Sequence, residues 1–188
     1  MKKQKRDSNS GNNLSKGVEI KGLSQKEVQV IAWLEFYQKY FFTSREIQSF
    51  FKTKAMLYNF IKRLVKKKRI IKLNQNKYYL VPMKAKSGAW IPHEFIIIDE
   101  ICNSEDYYIG GWTSTNYWRL TDQIPSTLEV FTTNKQGNIN ILNTKVKFHR
   151  VRDINKTKYI LKKIAGHEFK ILNKKESKKW LKSRESLL

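Results

Sequence analysis

Between Lys54 and Lys68 the chain places Leu57, Phe60, Ile61 and Leu64 at helical spacing. Lys54, Tyr58, Asn59, Lys62, Arg63 and Lys66 fall mostly on the other faces. A helix divided in this way must bury one side against its own domain and present a basic side to something else. The flanking sequence says which domain that is. Upstream, Ser24 and Glu27 form the capping-box pattern Ser-x-x-Glu, and Val30, Ile31, Leu34 and Tyr37 share one face, which predicts a first helix to about Tyr40. Thr43 or Ser44 can cap a short second helix to about Phe51, with a turn at Lys52-Thr53 before the basic helix. Downstream, Ile70–Leu73 and Tyr78–Val81 are strand-like runs around the turn 74–77, and Pro82 closes the unit. Three helices followed by a β-hairpin predict a winged helix-turn-helix over residues 23–82.

Charge points to the partner of such a unit. The formal net charge of the 188 residues is +22. Residues 1–86 hold 21 Lys+Arg against 5 Asp+Glu, an excess of 16, whereas residues 87–188 hold 17 against 11, an excess of 6. A compositional bias spread through a whole proteome would not favour one half so strongly. Release of condensed counterions makes a polyphosphate the default partner of a surface like this, so double-stranded DNA is expected. In a helix-turn-helix the second helix of the motif enters the major groove. The candidate contacts are therefore Thr53, Lys54, Tyr58 and Asn59 near the N-terminal end of the basic helix, where bases are reached. There Asn59 suits adenine and Lys54 suits guanine, while Tyr58 is open to a half-buried reading instead. Lys62, Arg63 and Lys66 are placed for phosphates, as is Arg45 on the bracing helix, and Gln75, Asn76 and Lys77 sit at the wing tip. The block Lys66–Arg69 reads equally as DNA contact or as a solvated helix end, because cations favour a helix C-terminus.

The rest of the chain is less regular. Residues 1–22 read as a disordered basic arm and 83–92 as a linker. A second, small α+β domain is expected over 93–188, which makes the fold class α+β throughout. In it Phe95–Cys102 is a helix or equally a buried strand, and Tyr107–Gly111 is extended with a turn. Thr113–Leu120 is a helix capped by Thr113 or Ser114. Leu128–Thr133, Ile139–Leu142, Lys145–Val151 and Glu168–Leu172 are strands, with a turn at 134–138.

Several chemistries find no support. His93, His149 and His167 are far apart and lack partners at ligand spacing, so no metal site is expected. Gly110-Gly111 lacks the pattern of a phosphate-cradling loop, and no cofactor is expected. Asp99 and Glu100, as helix neighbours, should point apart rather than form a catalytic pair, so no enzyme is expected. The single cysteine, Cys102, suits a reducing cytoplasm, and the longest apolar run, Val30–Leu34, is too short to span a bilayer.

The stretch Asp106–Pro125 resembles the AbiEi family of antitoxins. Tyr107–Gly110 and Leu120–Pro125 carry the match, followed by the strand-like Leu128–Thr133 and preceded, as in that family, by a winged helix. The resemblance spans roughly residues 24–172. It implies a type IV toxin–antitoxin system linked to abortive phage infection. In such a system the antitoxin represses its own operon at promoter repeats and counteracts a nucleotidyltransferase toxin. Lys182–Leu188 looks like the start of a later family segment, which implies a shortened member or an incomplete second domain. Read by residue type alone, Trp112, Tyr117, Trp118 and Leu120 are core packing or partner contact. Two other readings stay open: an interaction module whose basic face takes an acidic partner, and a DNA-binding regulator of unrelated genes. The oligomeric state is not fixed by any sequence feature.

Overall fold

The computed structural model describes residues 22–83 and 92–185. The arm expected over 1–22 and the linker over 83–92 fall almost wholly outside these residues. The first helix, α1 (Gln25–Phe36), starts where the capping box places it. The Ser24 hydroxyl accepts the Glu27 N–H at 3.3 Å, and the Glu27 carboxylate accepts the Ser24 N–H at 2.7 Å. The helix ends earlier than Tyr40 because Gln38 turns left-handed (φ 54°) and the Lys39 N–H closes on the Leu34 carbonyl at 2.8 Å.

The second helix expected from Thr43 is not there. Phe41–Thr43 form a strand, β1, followed by turns and a single 3₁₀ turn at Gln48–Phe50. The polar pair that looked like a helix cap closes a tight bend instead. The Thr43 N–H and hydroxyl both donate to Glu46, at 2.7 and 3.1 Å. Helix α2 (Lys54–Lys66) follows, with Thr53 as its cap, and then strands β2 (Ile70–Lys72) and β3 (Lys77–Leu80). β3 lies between β1 and β2 in a three-stranded antiparallel sheet. One core joins Val30, Ile31 and Leu34 of α1 to Phe42, Ile47, the Leu57–Leu64 stripe of α2, Ile70 and Leu80.

The isoleucine run resolves as a helix, α3 (Glu94–Ile101), buried from Phe95 to Ile101. Strand β4 (Tyr107–Ile109) leads into helix α4 (Gly111–Tyr117). α4 is not capped by Thr113 or Ser114. It begins at Gly110–Gly111, and Glu129 accepts the Trp112 N–H at 2.7 Å. β5 (Leu128–Thr132), β6 (Gly137–Ile141), β7 (Thr144–Arg150), β8 (Tyr159–Ile164) and β9 (His167–Leu172) complete a mixed sheet of order β6-β7-β5-β4-β9-β8. Helix α5 (Lys174–Glu185) packs on α4, where the Ser177 hydroxyl donates to that of Ser114 at 3.1 Å. The fold of the described residues is α+β, with five helices and two sheets.

The second core lies between α3 and one face of the six-stranded sheet, and it includes Leu73, Tyr79 and Val81 from the first sheet. Tyr117 packs against Phe95 and Phe169, and the Trp118 indole N–H donates to the Leu172 carbonyl at 2.8 Å. These two aromatics are therefore packing residues.

Four helices end in one way. After α1, α2, α3 and α4 the residues Gln38, Lys68, Asn103 and Arg119 are left-handed (φ 53–55°), and the next N–H reaches back to Leu34, Leu64, Asp99 and Thr115 respectively. A left-handed non-glycine residue carries a penalty of roughly 1–2 kcal/mol that glycine avoids, offset in part by the greater freedom of glycine when unfolded. Gln38→Gly and Arg119→Gly are each expected to raise stability by about 0.5–1 kcal/mol in urea denaturation. Gly111→Ala should do the opposite. Gly111 has φ 58°, and an added Cβ would stand 1.9 Å from the Glu129 carboxylate, so a loss of roughly 2 kcal/mol or more is expected.

Candidate nucleic-acid interface

The basic helix is held by its N-terminal cap and by one face. The Thr53 hydroxyl accepts the Met56 N–H at 3.2 Å, and Leu57, Phe60, Ile61 and Leu64 are buried in the first core. At 3.6 residues per turn, the side opposite that stripe carries Ala55, Asn59, Lys62 and Lys66, flanked by Tyr58 and Arg63. All six are exposed, Tyr58 at 66%, so the half-buried reading of that tyrosine gives way to an exposed one. Lys54 is exposed in the first turn, and Arg45 is exposed in the bend after β1. The structure thus sets Asn59, Lys62 and Lys66, flanked by Tyr58 and Arg63, along one outward side of α2, with Lys54 exposed at the start of the helix.

The tip of the hairpin is placed differently. Lys77 forms an ion pair with Glu100 of α3. The Asn74 carboxamide donates to the Glu100 and Ile101 carbonyls at 3.3 and 3.1 Å, and so occupies the C-terminal end of α3. Gln75 and Asn76 are exposed, but with Asn74 they line one wall of a cavity of about 380 Å³ whose other wall includes Cys102, Asn103 and Asp106. Three of the expected contacts therefore face the second half of the chain. Asp99 and Glu100 do take separate partners, Asp99 from the Tyr107 and Ser104 hydroxyls at 2.7 Å each and Glu100 from Lys77. Yet His167 stands 2.9 Å from Glu100 and 4.0 Å from Asp99, which brings both carboxylates to one imidazole. Burial, with the bond to Asp99, raises the pKa of Tyr107 above its ordinary range.

Electrostatics reinforce the helix face. From Ile47 to His93 the sequence holds twelve Lys and Arg and no Asp or Glu, a run of one sign that composition alone displays. The carboxylates of residues 22–83 are Glu27, Glu35 and Glu46, and each is committed elsewhere. Glu27 binds Lys67 at 2.7 Å, Glu46 binds Lys39 at 2.8 Å, and Glu35 accepts the Met83 N–H. Burial opposes ionisation of Glu27, but the Lys67 ammonium and the Ser24 N–H and hydroxyl outweigh it and lower the pKa. Burial likewise opposes ionisation of Glu46, and Lys39 and Thr43 outweigh it. Helix α5, which the sequence pattern does not announce, adds Lys174, Lys175, Lys178, Lys179, Lys182 and Arg184 in the second half.

No protein-family model matches the chain, and no curated protein matches it. Among the described residues no helix is long and apolar enough to cross a membrane.

Three outcomes are expected. Because their folded pKa values are lowered, Glu27 and Glu46 contribute stability that is complete above about pH 5 and is lost as pH falls through those values. Glu27→Gln should therefore flatten the acid side of a stability–pH curve. Lys77→Ala leaves Glu100 buried beside His167 without its ammonium partner and should cost about 1–3 kcal/mol in urea denaturation. Lys62→Ala, a change at an exposed position, should stay within about 0.5 kcal/mol.

Proposed function

We propose that residues 23–82 form a winged helix-turn-helix that binds double-stranded DNA through the outward side of α2 and represses the chain's own operon. The observation that carries this reading is the acid-free outward side of α2, with Tyr58, Asn59, Lys62, Arg63 and Lys66 exposed along it and Lys54 exposed at its start. In this reading α1 supports the motif, the segment 44–50 is its bracing element reduced to turns, and α2 is the reading helix. Asn59 and Lys54 reach base edges; Lys62, Arg63, Lys66 and Arg45 hold phosphates. Thr53 contributes mainly by fixing where α2 begins. Lys77 serves the junction with α3 rather than the DNA.

The wider role rests on the resemblance of Tyr107–Gly110 and Leu120–Pro125 to AbiEi antitoxins. It makes the chain the antitoxin of a type IV system in the cytoplasm, opposing a nucleotidyltransferase toxin. Met56, Tyr58 and Val65, exposed on the same helix, favour a second reading in which an acidic protein takes this face.

Gel-shift titrations of the full chain at several salt concentrations test the proposal. Upstream DNA of its own gene should bind in preference to random DNA. Lys62→Ala should weaken binding on all sequences and reduce the salt slope by about one, while Lys77→Ala should leave the slope unchanged. Equal affinity for own and random DNA would sink the repressor claim, and an acidic protein that binds where DNA does not would favour the second reading.

A further inference from the structure

The six-stranded sheet has a second face, turned away from α3. Val146 and Phe148 are buried on the α3 side, so Lys145 and Lys147 project from the other. The register of β6 against β7 sets Asn138 opposite Lys147 and Asn140 opposite Lys145, which puts the two ammonium groups and two carboxamides on one surface. Along the strand the two lysines are about 6.7 Å apart, close enough for one phosphate group to meet both ammoniums. None of the four side chains makes a hydrogen bond or ion pair among the described residues.

This surface is one side of a cavity of about 560 Å³ whose remaining lining mixes apolar side chains with the polar Gln123, Ser126 and Thr127. Trp112, with Ile124 and Pro125 of the loop before β5, supplies its aromatic and apolar part, and Ile124 is 86% exposed. Trp112 is held from behind. Its N–H donates to Glu129, and its ring meets Trp180 edge to face at a centroid distance of 5.3 Å and 88°. That contact takes at most one face of the indole. Glu129 also lines the cavity, but its carboxylate is already engaged by the Trp112 N–H and by His149 at 3.1 Å.

A ligand that satisfies all of this has a flat, largely apolar body, a polar edge for the carboxamides, and an anionic group at one end. We propose that this cavity binds a nucleoside phosphate, either free or as one nucleotide of a single strand. The base lies against Trp112 and Ile124, and the phosphate is held by Lys145 and Lys147. Asn138 and Asn140 meet the sugar or the edge of the base. An acidic peptide would use the lysines but leave the aromatic wall unused.

Calorimetric titration of the full-length protein tests this with the four ribonucleoside monophosphates, adenosine, inorganic phosphate, hexaglutamate and a short single-stranded oligonucleotide as probes. At least one monophosphate should bind, with adenosine and phosphate each at least about tenfold weaker. The double variant K145A/K147A should lose about tenfold or more, and Ile124→Asp, an exposed change that leaves the core intact, should also weaken binding. Lys62→Glu on α2 should leave monophosphate binding unchanged, which separates this site from the proposed DNA face. An oligonucleotide that binds more tightly than any monophosphate through the same residues identifies the source as a strand; binding of monophosphates alone identifies it as a free nucleotide. The proposal is overturned if no monophosphate binds, if phosphate alone binds as well, if hexaglutamate binds better, or if K145A/K147A binds unchanged.

Discussion

The β2–β3 hairpin belongs to two cores at once, and the placement of everything else follows from that. Ile70 and Leu80 pack with α1 and α2, while Leu73, Tyr79 and Val81 pack with α3 and the larger sheet. Alternation along a strand sends successive side chains to opposite faces, so a hairpin with apolar residues on both faces is buried on both sides. Tyr79 shows the consequence: it is fully buried, and burial pushes its hydroxyl up to about 12. The two halves are therefore not beads on a string. α2 is fixed to the first sheet, the first sheet to α3, and α3 to the second.

The polar contacts at that junction make sense only with the apolar ones in place. Burying Glu100 is costly unless its charge is met; the Lys77 ammonium pairs with it, and the His167 ring stands within hydrogen-bond distance from a different element. Asp99 beside it is satisfied by Tyr107 and Ser104. Removing one member leaves a buried group short of a partner, so the network acts as a register mark that fixes where the hairpin sits on α3. The same commitment of acids elsewhere in the first half, Glu27 to Lys67 and Glu46 to Lys39, leaves the α2 face without a counter-charge of its own.

Much of this is legible in the sequence, and the failures have physical causes. The capping box at Ser24, the stripe of α2 and the alternation of β5, β7 and β9 depend on local chemistry and spacing, and the structure follows them. Helix ends are harder to read because the usual mark is glycine, and here Gln38, Lys68, Asn103 and Arg119 take the left-handed position. Thr43-x-x-Glu46 carries the residues of a capping box, but they close a bend, because Phe41 and Phe42 are drawn into pairing with β3. β8 escapes notice because as an edge strand it is one third lysine and only half-covered, and α5 because Ser177 and Leu181 are its only buried side chains among the described residues. The residues singled out on α2 are set by local spacing, and the structure leaves all of them exposed on that helix. Gln75, Asn76 and Lys77 are defined by a partner helix some twenty-five residues away, which no local pattern records.

The fixed hairpin also constrains how the proposed reading of DNA can work. A wing free to enter a neighbouring groove adds contacts to those of the reading helix, but here the tip is committed to α3 through Asn74 and Lys77. Recognition then falls to the exposed side of α2. The N-terminal half of such a helix offers few base-reading side chains, here Lys54, Tyr58 and Asn59, while the remaining cations strengthen binding without selecting sequence. Selectivity from so small a set is limited for one chain on one site, and it multiplies when two chains occupy adjacent sites. A regulator built this way therefore calls for repeated half-sites one helical turn apart, read by two copies side by side.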